Sequence, residues 1–153
     1  MPKVVLDDLP VHDEPDAAEA LAGPLGAFEG RAISPSYGLE RLGANVETLM
    51  PGSASSHRHW HDSDDELVVV LSGELVLIEE EGETPLSTGD IAVFPAGVEN
   101  GHCLRNRSDA PATFLVVGTK NALDRCHYAE IDLVRHPGGR LTRRDGRPVV
   151  PEE

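Results

Sequence analysis

The sequence has few cysteines, few basic residues and no long apolar run, and each of these deficits excludes a class of protein. Only two of the 153 residues are cysteines, Cys103 and Cys126, and their spacing matches neither a zinc finger nor a disulfide framework. No apolar run approaches the roughly 20 residues that span a bilayer. The acidic first residues, MPKVVLDDLPVHDEPD, lack the apolar core of a signal peptide. We therefore expect a cytoplasmic protein with reduced thiols.

The charge balance is one-sided. There are 27 acidic and 13 basic side chains, which gives a net charge of -14. Such a surface repels phosphate backbones and anionic lipids, so we expect neither a nucleic-acid nor a membrane partner. The hydrophobic content of 39% is ordinary for a packed domain, and the length suits a single one.

The chain divides into three regions that differ in residue pattern and predicted secondary structure. Residues 1–42 are predicted to form an irregular arm with one short helix, which Asp16 caps and Gly23 ends. Residues 43–133 contain short apolar runs separated by Gly, Pro and Asp turns, a pattern typical of an antiparallel β-barrel or sandwich. The predicted strands are Asn45–Leu49, His57–His61, Glu66–Leu71, Glu74–Glu79, Thr84–Leu86, Ile91–Phe94, His102–Asn106 and Thr113–Gly118. A later run, HYAEIDL, is expected to pair with the barrel edge.

The last region, residues 134–153, is predicted to be a tail with a hairpin whose two-residue turn is Asp145–Gly146. It contains a concentration of arginines (Arg140, Arg143, Arg144 and Arg147). The simplest interpretation is a solvated hairpin that pairs with the chain's own acidic surface. An anion-binding role and an intersubunit contact are the alternatives.

Several predicted strands, such as LVVVL and IAVF, are apolar at successive positions rather than at alternate ones. This pattern indicates burial on both faces, inside the barrel and against another surface. Because closed two-fold dimers are the commonest oligomers, we expect a homodimer.

A histidine-rich segment, HRHWH, is the strongest candidate for chemistry. On a strand, His57, His59 and His61 point to the same side, so two imidazoles can face one ion. Glu66 follows across a turn-like DSDD stretch and would lie beside them on the next strand. Neutral imidazoles with one carboxylate suit a divalent ion. A metal-free polar pocket is the alternative.

The order of these residues resembles the two sequence motifs of the cupin superfamily. The first motif is matched by Gly52, His59, His61, Glu66 and Gly73, with one residue more than usual between Gly52 and His59. The second is matched by Gly89, Pro95, Gly97, His102 and Asn106. His102 comes two residues later than expected, because Asn100 occupies the usual histidine position. The segment PAGVENGH is similar to one found in small single-domain cupins.

The resemblance implies an all-β fold, a double-stranded β-helix (jelly-roll) barrel. It also implies that His59, His61, Glu66 and His102 hold one divalent metal ion, which can be Zn, Mn, Fe or Ni. His57 either joins them or lies at the barrel mouth, and we favour the mouth. Cys103, next to His102, is predicted to be a buried small hydrophobe.

Cupins with this ligand set include isomerases, decarboxylases, dioxygenases and binding proteins without turnover. Our leading hypothesis is a metal-dependent enzyme for a sugar, sugar phosphate, or hydroxy or keto acid. The alternative is a non-catalytic module that binds or senses a small molecule. No catalytic residue is assigned, although Glu99, His57 and Tyr37 are candidates for an acid or base.

Overall fold

The computed structural model describes residues 2–14 and 17–149, apart from the side chains of residues 17 and 19. The predicted cap Asp16 lies outside the described residues. The strands are β1 (Val11–His12), β2 (Phe28–Ala32), β3 (Leu42–Leu49), β4 (His59–His61), β5 (Glu66–Ser72), β6 (Leu75–Glu79), β7 (Gly82–Leu86), β8 (Ile91–Phe94), β9 (Cys103–Arg105), β10 (Ala112–Thr119), β11 (Cys126–Tyr128), β12 (Val134–Arg135) and β13 (Leu141–Thr142). The α-helices are α1 (Ala17–Ala22) and α2 (Ile33–Tyr37), and short 3₁₀ turns lie at Leu6–Asp8 and Pro137–Gly139.

The fold is the predicted all-β, double-stranded β-helix. One wall is a six-stranded antiparallel sheet with the order β1-β2-β3-β10-β5-β8. The other wall consists of two smaller sheets, β13-β12-β11-β4 and β7-β6-β9. Each of the eight predicted strands corresponds to one strand from β3 to β10, with its ends shifted by up to three residues.

The main core lies between the walls. Strand alternation turns Val68 and Val70 of β5 inward, where they are 3% and 1% exposed. They pack with Leu49 of β3 and Phe114 of β10 in one buried apolar cluster. Burial of each such side chain stabilises the fold by about 1.5–3 kcal/mol.

Buried Asn106, directly after β9, holds neighbouring backbone segments together through hydrogen bonds. Its Nδ2 donates to the carbonyls of Leu49 (2.9 Å) and Ala110 (2.8 Å). Its Oδ1 accepts hydrogen bonds from the amide and hydroxyl of Ser108, at 2.9 and 2.7 Å. Both N–H donors and both oxygen lone pairs of this amide are therefore engaged, and the side chain joins the end of β9 to β3 and to the turn that follows β9.

The arm and the tail both extend the sheets. In the arm, β1 pairs with β2 and β2 pairs with β3, so residues before 43 form one edge of the larger sheet. In the tail, β12 pairs with β11, and β13 pairs with β12. Among the described residues, no helix is both long enough and apolar enough to cross a membrane.

The tail hairpin has a longer turn than predicted. The amide of Arg143 donates to the carbonyl of Arg147 at 2.8 Å, so three residues, not two, form the turn. Gly146 supplies the left-handed conformation, with φ of 86°, as a three-residue hairpin requires. Arg147 pairs with Asp145 within the turn, and Arg144 donates to the carbonyls of Tyr128 and Ala129.

Candidate metal centre

Three elements bring the four predicted ligands together. His59 and His61 are two positions apart on β4, so both side chains face the barrel interior. Trp60, between them, points outward and stacks on His127 with ring centroids 4.1 Å apart. Glu66 begins β5, directly after the turn that follows β4. His102 forms a β-bridge with His59 through backbone hydrogen bonds of 3.0 and 3.2 Å.

The ligand atoms of these residues lie within a few ångströms of one another. Glu66 is central: its Oε1 is 3.3 Å from His102 Nε2, and its Oε2 is 3.8 Å from His61 Nε2. One ligand atom from each of His59, Glu66 and His102 forms a group within 4.8 Å. The ring centroid of His59 lies 5.2 Å from that of His61 and 4.9 Å from that of His102. The structure thus places all four side chains in one cluster, with three of them in a single candidate group and His61 beside it.

Contacts outside this cluster orient two of the imidazoles. The Nδ1–H of His61 donates to Oδ2 of Asp124 at 2.7 Å, and the Nδ1–H of His59 donates to the His57 carbonyl at 3.0 Å. A proton on Nδ1 leaves the lone pair on Nε2, which is the form that binds a metal. On the third ring, Phe94 stacks against His102 with centroids 3.5 Å apart.

The electrostatics of the cluster favour neutral histidine beside an ionised carboxylate. Burial lowers the pKa of His59 to about 4, so this imidazole is neutral near pH 7. Burial also acts to raise the pKa of Glu66, but the hydrogen bond from His102 and the neighbouring imidazoles outweigh it and leave this pKa below its usual value. Neutral imidazoles with a carboxylate anion are the donor set that a divalent cation takes.

The cluster lines a cavity of about 430 Å³ between the two walls. Glu47 reaches it from β3, Tyr128 from β11 and Arg135 from β12. His12 and Glu14 line it from the arm. The arm therefore contributes to the cavity wall and does more than cover the core.

The candidates for an acid or base lie elsewhere. Among the described residues that line the cavity, none is Glu99, His57 or Tyr37. Glu99 is exposed, and the hydroxyl of Tyr37 donates to the Lys3 carbonyl. His57 precedes β4 and is half-buried, and its Nε2 has no hydrogen-bond partner in the part of the chain that the structure describes.

Sequence reasoning missed several groups close to the cluster. Asp124, Cys126 and Tyr128 follow the ligand strand β4 by more than 60 residues, and pairing of β11 with β4 places them there. The sulfur of Cys126 lies within 4.8 Å of ligand atoms of His59 and His61, yet burial raises its thiol pKa to about 12. Both cysteines are free and buried, as predicted for reduced thiols. The HYAEIDL run that contains Tyr128 does pair with the barrel, but its pattern gives no sign of which side chains face inward.

Asp124 provides a test of whether its carboxylate holds the His61 ring in the orientation for metal binding. We expect Asp124→Asn to weaken divalent-metal affinity by about 10- to 100-fold, because a neutral amide is a poorer acceptor for the His61 Nδ1–H. Competition against a chromophoric chelator measures the dissociation constant. Asp62→Asn is the matched control, since Asp62 accepts hydrogen bonds from Arg125 and His127, outside the ligand cluster. Equal affinity in Asp124→Asn and the wild type would contradict the positioning role.

Comparison with known proteins agrees with the fold. The profile of the Cupin domain family matches residues 45–118. A crystal structure from Silicibacter pomeroyi, described as a sugar phosphate isomerase from a cupin superfamily, is 39% identical with a TM-score of 0.84, and the match covers 98% of each chain. The chain belongs to the cupin superfamily.

More distant cupin neighbours share the fold. A protein from Acidithiobacillus ferrooxidans is 24% identical over 86% of this chain and 85% of its own, with a TM-score of 0.75. A Thermotoga maritima protein is 19% identical over 78% of this chain and 100% of its own, with a TM-score of 0.64. Curated protein sequences gave no match.

The structure also explains how this cupin accommodates the shifted histidine. Asn100, which occupies the usual histidine position, accepts from the Glu80 amide at 3.2 Å and donates to Glu79 at 3.0 Å. These bonds attach the longer loop to the end of β6. The chain then reaches the cavity at His102, two residues later.

Proposed function

We propose that this cupin binds one divalent metal ion through His59, His61, Glu66 and His102 and isomerises a small sugar, sugar phosphate, or hydroxy or keto acid. The observation that carries the proposal is the clustering of three imidazoles and one carboxylate on one cavity, whose lining is both polar and apolar. The Silicibacter pomeroyi relative, which is described as a sugar phosphate isomerase, supports the isomerase class because the match spans nearly the full length of both chains.

Each ligand side chain has a defined role in the proposed centre. The three imidazoles supply neutral donors, and Glu66 offsets part of the cation's charge. A bound divalent ion would act as a Lewis acid on neighbouring carbonyl and hydroxyl oxygens of the substrate. Four protein ligands leave room for such oxygens only on a metal with more than four coordination positions, such as Mn, Fe or Ni, or on expanded Zn.

Isomerisation also needs groups that move protons. Glu47 is a half-buried carboxylate in the cavity and does not belong to the proposed ligand set. We assign it the role of general base, which takes a proton from the carbon beside the carbonyl and returns it to the adjacent carbon. Tyr128, which is 4% exposed and has its ring centroid 6.1 Å from that of His59, is the candidate for the acid that gives its proton to the carbonyl oxygen and is reprotonated by the neighbouring hydroxyl as that group becomes the new carbonyl.

Proton exchange tests the reaction class. The metal-loaded protein is incubated in D₂O with aldoses, aldose phosphates, and 2-hydroxy and 2-keto acids, and NMR follows deuterium at the carbon next to the carbonyl. We expect Glu47→Gln to slow exchange by about 100-fold or more while metal content is unchanged. Glu83→Gln is the control, because Glu83 is exposed on β7 and pairs with Arg107.

Two results would separate the possibilities. Stoichiometric metal with neither deuterium exchange nor a new isomer in the NMR spectra of any compound would remove the isomerase proposal and leave a binding or sensing module. Unchanged exchange in Glu47→Gln would instead exclude this residue as the base.

We also propose that the outer face of the larger sheet pairs with a second copy of the chain. The outward side chains of β5 and β8 there are uncharged and apolar, and three of them are exposed by 42% (Leu71), 60% (Ile91) and 61% (Val93). A two-fold axis brings the same patch of each copy together. An uncharged centre also lets two chains of net charge -14 approach with little repulsion.

Sedimentation velocity tests this assembly. We expect a dimer for the wild type at micromolar concentration and a monomer for the Ile91→Lys/Val93→Lys variant, because association would bury two ammonium groups in each copy. Leu123→Lys is the control, since Leu123 is 76% exposed and lies outside both strands. A monomeric wild type would contradict the proposal.

A further inference from the structure

One cation faces the inside of the barrel. Among the described residues that line the cavity, Arg135 is the only arginine or lysine. The chain is strongly acidic, and Glu14, Glu47 and Glu66 also line this cavity. Half-buried Arg135 therefore shares the cavity with carboxylates that can offset its charge, and its guanidinium is also a donor group that a ligand in the cavity would meet.

Strand register relates Arg135 to the proposed metal centre. Arg135 of β12 pairs with Cys126 of β11, and Cys126 pairs with His61 of β4. These three residues therefore form one row across the smaller sheet, and all three line the cavity. Because neighbouring strands lie about 4.8 Å apart, the backbone at Arg135 is about 10 Å from the backbone at His61. The cavity of about 430 Å³ that all three residues line has room for a molecule of a few carbon atoms.

The chemistry of arginine identifies the group that it would hold. Guanidinium has five N–H donors in a planar fork, which matches two oxygens of a carboxylate or phosphate. With five donors it can bind such an anion and still keep other hydrogen bonds.

We propose that Arg135 binds the anionic end of the substrate, a carboxylate or phosphate, while the substrate's hydroxyl or carbonyl oxygens lie at the histidine cluster. The inference rests on the proposed function, because it presumes a substrate at that centre. It narrows the substrate class to small oxygenated molecules with an oxyanion at one end and excludes neutral sugars.

Three five-carbon compounds test the proposal: ribose 5-phosphate, ribonate and ribose. All three have a hydroxylated five-carbon chain. Ribose 5-phosphate carries a phosphate on the last carbon, ribonate carries a carboxylate in place of the aldehyde carbon, and ribose carries neither anion. Isothermal titration of the metal-loaded protein with each one measures affinity independently of turnover. We expect at least one of the two anions to bind about 10- to 100-fold more tightly than ribose. Whether ribose 5-phosphate or ribonate binds better identifies the anion.

Substitutions assign the preference to Arg135. Arg135→Gln should abolish the 10- to 100-fold preference, and Arg135→Lys should retain part of it. Arg140→Gln makes the same charge change at an exposed residue of the same tail, outside the cavity lining, and should leave the preference intact. Circular dichroism and metal content establish that each variant is folded and loaded.

The outcomes separate this inference from the proposed function. Equal affinity of the wild type for the three compounds, including no binding of any, would overturn the role of Arg135. So would an Arg135→Gln variant that keeps the anion preference. If the proposed metal site does not exist, the wild-type protein would contain no metal, and this result would be known before any titration.

Discussion

Replacing both His59 and His61 with alanine should reduce bound divalent metal from about one equivalent per chain to less than about a tenth. The double variant leaves Glu66 and His102 as the remaining proposed ligands, and two donors hold a divalent ion weakly. The measurement is elemental analysis of both proteins, first as purified and then after incubation with zinc, manganese and iron salts. The identity of the metal follows from the same measurement: iron would direct attention to oxygenase chemistry, and zinc would exclude a redox role for the ion.

A nearby histidine provides the control for this experiment. His127 lies on β11 beside Trp60 of β4, but its side chain points out of the barrel and bonds with Asp62. His127→Ala should keep the wild-type metal content. If the wild type took up none of the three metals, the ligand assignment would be wrong and the cavity would be a polar binding pocket.

Asn106→Asp should lower the free energy of unfolding by about 3 kcal/mol. The substitution keeps the size of the side chain but replaces its amide N–H₂ with an oxygen that faces the carbonyls of Leu49 and Ala110. Asn106 is 0% exposed, so water cannot compensate for the lost hydrogen bonds or for the buried charge. Urea unfolding followed by circular dichroism measures the change.

Asn121→Asp is the matched control for Asn106→Asp. Asn121 is exposed, and its Oδ1 accepts a hydrogen bond from the Leu123 amide, which an aspartate preserves. We expect a change within about 0.5 kcal/mol for this variant. If both substitutions had the same small effect, Asn106 would not be the structural element that joins β9 to the neighbouring turns.

The ligand cluster is predictable because most of its chemistry is local in the sequence. Two alternate positions on one strand face the same side, so the spacing of His59 and His61 is enough to place both imidazoles together. A short turn then brings Glu66 to the adjacent strand. His102 is more distant, and its prediction depends on the resemblance of the second motif to cupins rather than on geometry.

The rest of the cavity depends on long-range pairing. Asp124 and Tyr128 lie beside the cluster because β11 pairs with β4, and Arg135 enters the cavity because β12 pairs with β11. The sequence of β11, CHY, has no local feature that indicates which strand it pairs with or in which register. A shift of one residue would have turned these side chains to the outer face.

Short-range features of the chain are therefore enough to predict the strands and to bring His59, His61 and Glu66 together, because turn residues and strand alternation act over short distances. His102 is added only by the resemblance to the second cupin motif. The side chains that surround the centre are set by the tertiary structure alone. Glu47 and Arg135 come from strands far apart in the chain, and His12 comes from the arm. They meet because the two walls of the fold enclose one cavity. The pairing of strands that builds these walls involves the whole chain and is not encoded in any single segment.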